Sequence, residues 1–204
     1  MERKLLIRII IIIILVLIIS ILLISRIYSK SFIEEELIDD YIETTTTKEL
    51  TTTTKKNKIK RIITTSKIKN NYVMVLEIPK IRIKKGIYDL NDKNNNVDKN
   101  ITFLKSDYPN KELGTTILAS HNGNTRVSYF KNLENLNKSD LAYIYYKGYK
   151  YIYEVYNIEI VDKIGTIKVK RNKSYNNLIL ISCKNGTNDK QIVYQLKLIN
   201  KEAY

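Results

Sequence analysis

The sequence predicts an all-β domain, a barrel or sandwich of many short strands with one or two short helices, preceded by an N-terminal transmembrane helix. Three observations predict it. Residues 5–27 are almost wholly apolar. Residues 31–71 are polar and repetitive. From residue 72 onward, short runs rich in β-branched and aromatic residues follow one another, punctuated by Gly, Asn, Asp and Pro. The 204 residues hold one ordinary domain plus an appendage.

The apolar segment comes first. Residues 9–19 are apolar without a break, Ser20 interrupts them, and residues 21–24 resume the run. With its apolar flanks the segment reaches about 20 residues, enough for a helix to cross a ~30 Å hydrocarbon core. Arg8 lies one turn from its start, where it snorkels to the headgroups. The competing reading is a cleaved signal peptide, but Ser25-Arg26-Ile27-Tyr28 is a poor small-residue cleavage site. Arg3, Lys4 and Arg8 precede the span, against Arg26 and Lys30 after it. This favours the N-terminus inside and everything downstream outside the cell.

Residues 1–30 are therefore expected to be a membrane anchor and residues 31–71 a Thr/Lys-rich extracellular stalk. The stalk holds two runs of four threonines, 44–47 and 51–54, and has little apolar periodicity. Phe32, Ile33, Leu37, Ile38 and Ile42 allow one short amphipathic helix within it. Its function is reach, holding the domain at 72–204 off the membrane.

Within that domain the apolar runs lie at 72–78, 115–119, 141–147, 149–160, 178–181 and 192–198. Lys147-Gly148 between two of them reads as a hairpin turn. Helices are expected only around 97–105 and 127–136. No internal repeat is present.

The chain carries 35 Lys+Arg against 21 Asp+Glu, a formal net charge of +14. That surplus fits an anionic partner or simply a solvated Lys-rich surface. No nucleic-acid recognition motif accompanies it, so no nucleic acid is expected as a partner. Cys183 is the sole cysteine, which excludes an intramolecular disulfide, and His121 is the sole histidine, which excludes a Cys/His zinc cluster.

These two residues are the candidates for chemistry. Cys183 follows the apolar run at 178–181 and Ser182, and precedes Lys184-Asn185-Gly186. His121 follows Ile117-Leu118-Ala119-Ser120 and precedes Asn122-Gly123-Asn124. Both stand at the mouth of a strand, where two residues 62 positions apart can meet at one end of a sheet. A thiol beside an imidazole passes its proton over and becomes a nucleophilic thiolate. The plain alternative is a small buried hydrophobe and an unrelated polar residue.

Several segments, in order, resemble one known family, the sortases. Val75-Leu76-Glu77-Ile78-Pro79-Lys80-Ile81 is similar to its first strand and Ile-Pro-Lys-Ile signature, and Gly86-Ile87-Tyr88 to the Pro/Gly-Ile-Tyr that follows. Ala119-Ser120-His121 resembles its small-Gly-His signature, with Ser120 at the Gly. The segment from Tyr129 to Asp140 resembles its Phe-x-x-Leu-x-x-Leu-x-x-Gly-Asp, with Ser139 at the Gly. Leu178-Ile179-Leu180-Ile181-Ser182-Cys183 resembles its Leu-Thr-Leu-x-Thr-Cys.

The resemblance implies an eight-stranded β-barrel and a cysteine transpeptidase. Its partners would be the sorting-signal peptides of exported proteins and an amine, from a peptidoglycan precursor or a pilin lysine. Cys183 and His121 would be the catalytic pair, with Ala119, Ser120, Ser182 and Arg126 near the substrate. One departure stands out. Sortases usually carry an arginine on the strand after the cysteine, and here no arginine follows Cys183. Gln191 or Lys190 takes that place, with Gln191 preferred because Ile192-Val193-Tyr194 fits the apolar run after the family's arginine. The departure also motivates an alternative, a peptide-binding module that does not turn its ligand over. The short 161–177 stretch leaves no room for the helical insert of class B, and no class C lid motif precedes residue 72, which leaves a class A-like or D-like chain. No cofactor is implied. Asp89, Asp92, Asp98 and the neighbouring asparagines are rich in oxygen donors but lack EF-hand spacing.

Overall fold

The structure, a computed structural model, describes residues 2–50, 71–165, 169 and 171–204. The chain divides into two compact units, residues 1–40 and 41–204.

The first unit is helical. Helix α1 runs over Glu2–Leu50 without interruption, where a membrane helix and a separate short helix were expected. No Gly or Pro lies between residues 2 and 50 to stop it. Its stretch Ile11–Tyr28 is long and apolar enough to cross a membrane, with mean hydropathy 2.9. The serine hydroxyls inside that stretch are satisfied within the helix: Ser20 donates to the Val16 carbonyl at 2.8 Å and Ser25 to that of Leu22 at 3.0 Å. Of the expected stalk, residues 51–70 lie outside the described residues.

The second unit holds eight strands: β1 (Tyr72–Ile78), β2 (Ile83–Tyr88), β3 (Thr102–Phe103), β4 (Thr115–Ala119), β5 (Leu141–Tyr146), β6 (Tyr149–Asp162), β7 (Asn177–Cys183) and β8 (Lys190–Ala203). They form one sheet in the order β2-β1-β5-β6-β8-β7-β4-β3. All pairings are antiparallel except β4 with β7. The sheet curls into a nearly closed barrel. Across the gap between its edge strands, the Asn100 amide, just before β3, donates to the Gly86 carbonyl on β2 at 2.8 Å. A side chain at Gly86 would collide with the Tyr72 ring, 2.3 Å from where its Cβ would stand.

The expected hairpin forms: Lys147 and Gly148 have φ of 49° and 76°, the two left-handed residues of a type I′ turn. Strand β6 runs 14 residues. Its ladder with β8 carries two register shifts, an extra residue on β8 opposite Ile152 and Tyr153 and one on β6 between Val155 and Asn157, and such bulges increase the twist of a strand pair. Two short 3₁₀ helices form, Pro79–Ile81 and Leu133–Asn135, and the helix expected around 97–105 does not. Around 97–105 the chain makes turns and then β3, because Asx side chains capture the backbone: Asn96 accepts from the Asp98 N–H and Asn95 from that of Phe103. Within 127–136 only a 3₁₀ turn forms, Leu133–Asn135.

The interior is apolar and continuous. Leu76, Ile78, Phe103, Leu118, Ala142, Tyr153, Leu178, Leu180, Tyr194 and Leu196 belong to one buried cluster. A second, smaller cluster of Ile117, Ile179, Ile181 and Val193 lies on the other side of the same strands. Strand β7 is thus covered on both faces, which explains its unbroken apolar run.

Candidate active site

The site is built by one register. Strands β4 and β7 pair in parallel, Thr115 with Asn177 through Ala119 with Ile181, at a constant offset of 62. That is also the offset from His121 to Cys183. The match continues past the ladder, where the Ser120 N–H donates to the Ile181 carbonyl at 3.2 Å and the Ser182 hydroxyl to the Ser120 carbonyl at 2.9 Å. His121 and Cys183 therefore leave the sheet as neighbours, about one strand spacing (~4.8 Å) apart at the backbone.

Alternation sets their face. Odd-numbered residues of both strands, Ile117 and Ala119, Ile179 and Ile181, belong to or pack on the smaller cluster, with Val161 and Val169 against them. Cys183 and His121 continue this face, and both are half-buried. Ser120 and Ser182 lie on the opposite side and are buried.

The polar surroundings are specific. The His121 Nε2 lies 3.0 Å from the Asp98 Oδ1. If it carries the proton, Nδ1 is left as the free acceptor. The Asn122 amide donates to the Cys183 carbonyl at 2.8 Å, which fixes the turn after β4 to the end of β7. The Cys183 sulfur accepts from the Lys163 ammonium at 3.8 Å. Among the described residues, no direct hydrogen bond joins the sulfur to the imidazole.

Strand β8 brings Gln191 directly opposite Cys183. Lys190, the other residue expected there, turns to Asp162 instead and pairs with it at 2.5 Å. Arg126 is exposed in the turn after His121. The β7–β8 loop is held from below by Glu134, which accepts from the Lys184 ammonium and from the Asn185 N–H. Burial pushes the Glu134 pKa up, but Lys184 and the Asn185 N–H outweigh it and leave the carboxyl below its ordinary value.

Two residues at the site were not expected there from the sequence. Asp98 stood in an Asn/Asp-rich loop, and Lys163 among many lysines. The oxygen-rich loop engages its own carboxylates: Asp89 takes the Tyr108 hydroxyl at 2.5 Å, Asp92 the Asn94 N–H, and Asp98 the imidazole. Among the described residues, no three His, Cys, Asp or Glu side chains cluster as a metal site.

Comparison with known proteins agrees with this fold. The family model described as "Sortase domain" matches residues 76–198. No curated protein matches the chain. Many solved structures share the fold. A Clostridium perfringens sortase D5 transpeptidase is 18% identical with a TM-score of 0.58, covering 82% of this chain and 98% of its own. A Listeria monocytogenes sortase A is 19% identical with a TM-score of 0.54, covering 66% and 91%. A Streptococcus agalactiae sortase C1 is 19% identical with a TM-score of 0.57, covering 84% and 87%.

Proposed function

The chain belongs to the sortase family, and from that premise we propose that it is a membrane-anchored cysteine transpeptidase acting on sorting peptides of exported proteins. The observation that supports this reading is the shared offset of 62, which brings together the ends of the two strands that lead into His121 and Cys183.

The Cys183 thiol gives its proton to His121, and the sulfur attacks a backbone carbonyl of the sorting peptide. The carbon–nitrogen bond breaks, and the leaving amine takes the proton from the imidazolium. A thioester on Cys183 remains. An incoming amine, from a peptidoglycan precursor or a pilin lysine, attacks it and loses its proton to His121. A new amide forms and the thiol is restored. Water in place of the amine makes the same site a slow hydrolase.

The other residues take supporting roles. Gln191, opposite Cys183, donates its side-chain amide to the oxyanion. Ala119 shares the reactive face and contributes to its apolar floor. The Ser182–Ser120 bond ties the two strand ends together from behind. Asp98 orients His121. Lys190 braces the base of the β6–β7 connection through Asp162. Residues 1–30 anchor the protein with its N-terminus inside, and the domain at 72–204 works outside.

The full-length protein, in detergent, is incubated with a panel of sorting-motif peptides and intact mass is measured. A peptide-sized adduct on Cys183 that an added amine releases supports the reading. Peptide binding with no adduct would support the second reading, a non-catalytic peptide-binding module, which the lack of an arginine after Cys183 favours. Neither binding nor adduct with any peptide would sink both.

A further inference from the structure

We propose that Lys163, at the base of the β6–β7 connection, is the cation of this site, pairing with the Cys183 thiolate in a chain that has no arginine on the strand after it. The proposal rests on the reading of Cys183 as the nucleophile.

The argument begins with which cations reach the sulfur. Lys184 is engaged by Glu134, and Lys190 by Asp162. The Lys163 ammonium points to the Cys183 sulfur at 3.8 Å. Among the described residues, no carboxylate forms an ion pair with Lys163. Its charge is therefore directed at the sulfur.

The backbone delivers it there. Near its end, β6 pairs Val161 with Gln191 and Asp162 with Lys190. Immediately after, the Lys163 N–H donates to the Asp189 carbonyl at 2.7 Å. The Asp162–Lys190 ion pair lies beside this bond. Together these contacts clamp the point where β6 leaves the sheet to the start of β8, which itself presents Gln191 to Cys183. One register thus places an amide opposite the cysteine and an ammonium against its sulfur.

Physically the two groups divide a task. An ammonium about 4 Å from a thiolate favours the ionised sulfur. A neutral amide does little for the thiolate but is a sound donor to a carbonyl oxygen. Lys163 acts as a point charge, while His121 alone shuttles the reacting proton. Because Lys163 is exposed, solvent screens the pair, and the gain is modest.

The test measures iodoacetamide alkylation of Cys183 against pH in full-length wild-type, Lys163→Met, Lys163→Arg and His121→Ala proteins, with melting curves as a folding control. Lys163→Met is expected to slow alkylation about threefold at neutral pH, with the pH midpoint raised. Lys163→Arg should stay near the wild-type rate, and high salt should narrow the gap between Met and wild type. A Met variant that alkylates like wild type, while the wild-type midpoint lies below the ~8.5 of a free thiol, overturns the role of Lys163 and leaves Cys183 as nucleophile. Equal slowing in the Met and Arg variants also overturns it, since charge is then not what matters. A wild-type midpoint at the free-thiol value, unmoved by His121→Ala, removes the nucleophile and this proposal together.

Discussion

Strands β4 and β7 show two faces with different duties. On the inner face, Leu118, Leu178 and Leu180 are fully buried in the main cluster. On the outer face, Ile117, Ile179 and Ile181 form part of a much smaller cluster, and the same row of alternate residues ends in His121 and Cys183. One backbone register serves both. The inner face makes the strand ends rigid, and that rigidity lets the outer face hold a thiol and an imidazole without a direct bond between them. Stability and chemistry are separated by one residue of alternation, so substitutions at adjacent positions should have opposite signatures.

The sharpest break of that comparison is at Cys183 itself. Cys183→Ala should abolish the thioester, with transpeptidation falling at least about a thousandfold. Its melting temperature should stay close to wild type, because the half-buried sulfur contributes little packing. Loss of folding in this variant would mean that the outer face is structural after all. The inner-face counterpart is Leu180→Ala, three residues earlier. It should cost about 2–5 kcal/mol of stability through the lost burial and the cavity left behind. Chemical denaturation gives the number, and the protein that remains folded should still form the adduct.

The sequence made the strands readable wherever apolar residues ran long, and the hairpin at Lys147-Gly148 readable from its turn chemistry. It also marked Cys183 and His121 as strand-mouth residues, and the β7–β8 register pairs Gln191 with Cys183. Its failures share a cause. The edge strand β2, Ile-Lys-Lys-Gly-Ile-Tyr, is polar enough to pass for a loop, and β3 is only two residues long. Both exist because the barrel closes on them. The segment 97–105 has a helical look, but Asn95 and Asn96 hold the backbone in turns. Ser139, where the family pattern has Gly, sits at φ 71°, a cost invisible until the backbone is seen. Asp98 and Lys163 were unreadable because each meets its partner through register and loop path, 23 and 20 residues away.

A finer comparison sets Asp98 against Cys183 on the outer face. Asp98 touches no reacting atom, so its role is positioning. Asp98→Asn should lower kcat about tenfold with little change in KM, since an exposed carboxylate orients the imidazole less strongly than a buried one. Asp98→Glu should recover part of the loss. A KM effect with kcat unchanged would mean that the 97–100 turn contacts peptide instead.

The smallest effect separates the rim from the barrel by pH. Glu134 carries a pKa below its ordinary 4.5: burial raises it, and the Lys184 and Asn185 donors lower it by more. A carboxyl with a lowered folded-state value stabilises the fold fully above 4.5 and loses that contribution as pH falls through the folded value. Below that range the β7–β8 loop, whose Lys184 and Asn185 depend on Glu134, should loosen while the apolar interior stays intact. Asp140 is shifted the same way, by burial upward and by the Asn137 N–H and Lys80 downward by more, so wild type alone cannot isolate the effect. Glu134→Gln can. Both proteins lose the Asp140 contribution in acid, and only wild type loses that of Glu134. The stability difference between them should be under about 1 kcal/mol at neutral pH and should vanish in acid. Proteolytic nicking within 184–189 should follow the same curve, appearing in wild type only at low pH and in Glu134→Gln at every pH. Nicking that starts within the strands instead would mean the barrel opens first, and the division between rigid interior and separately held rim would fail.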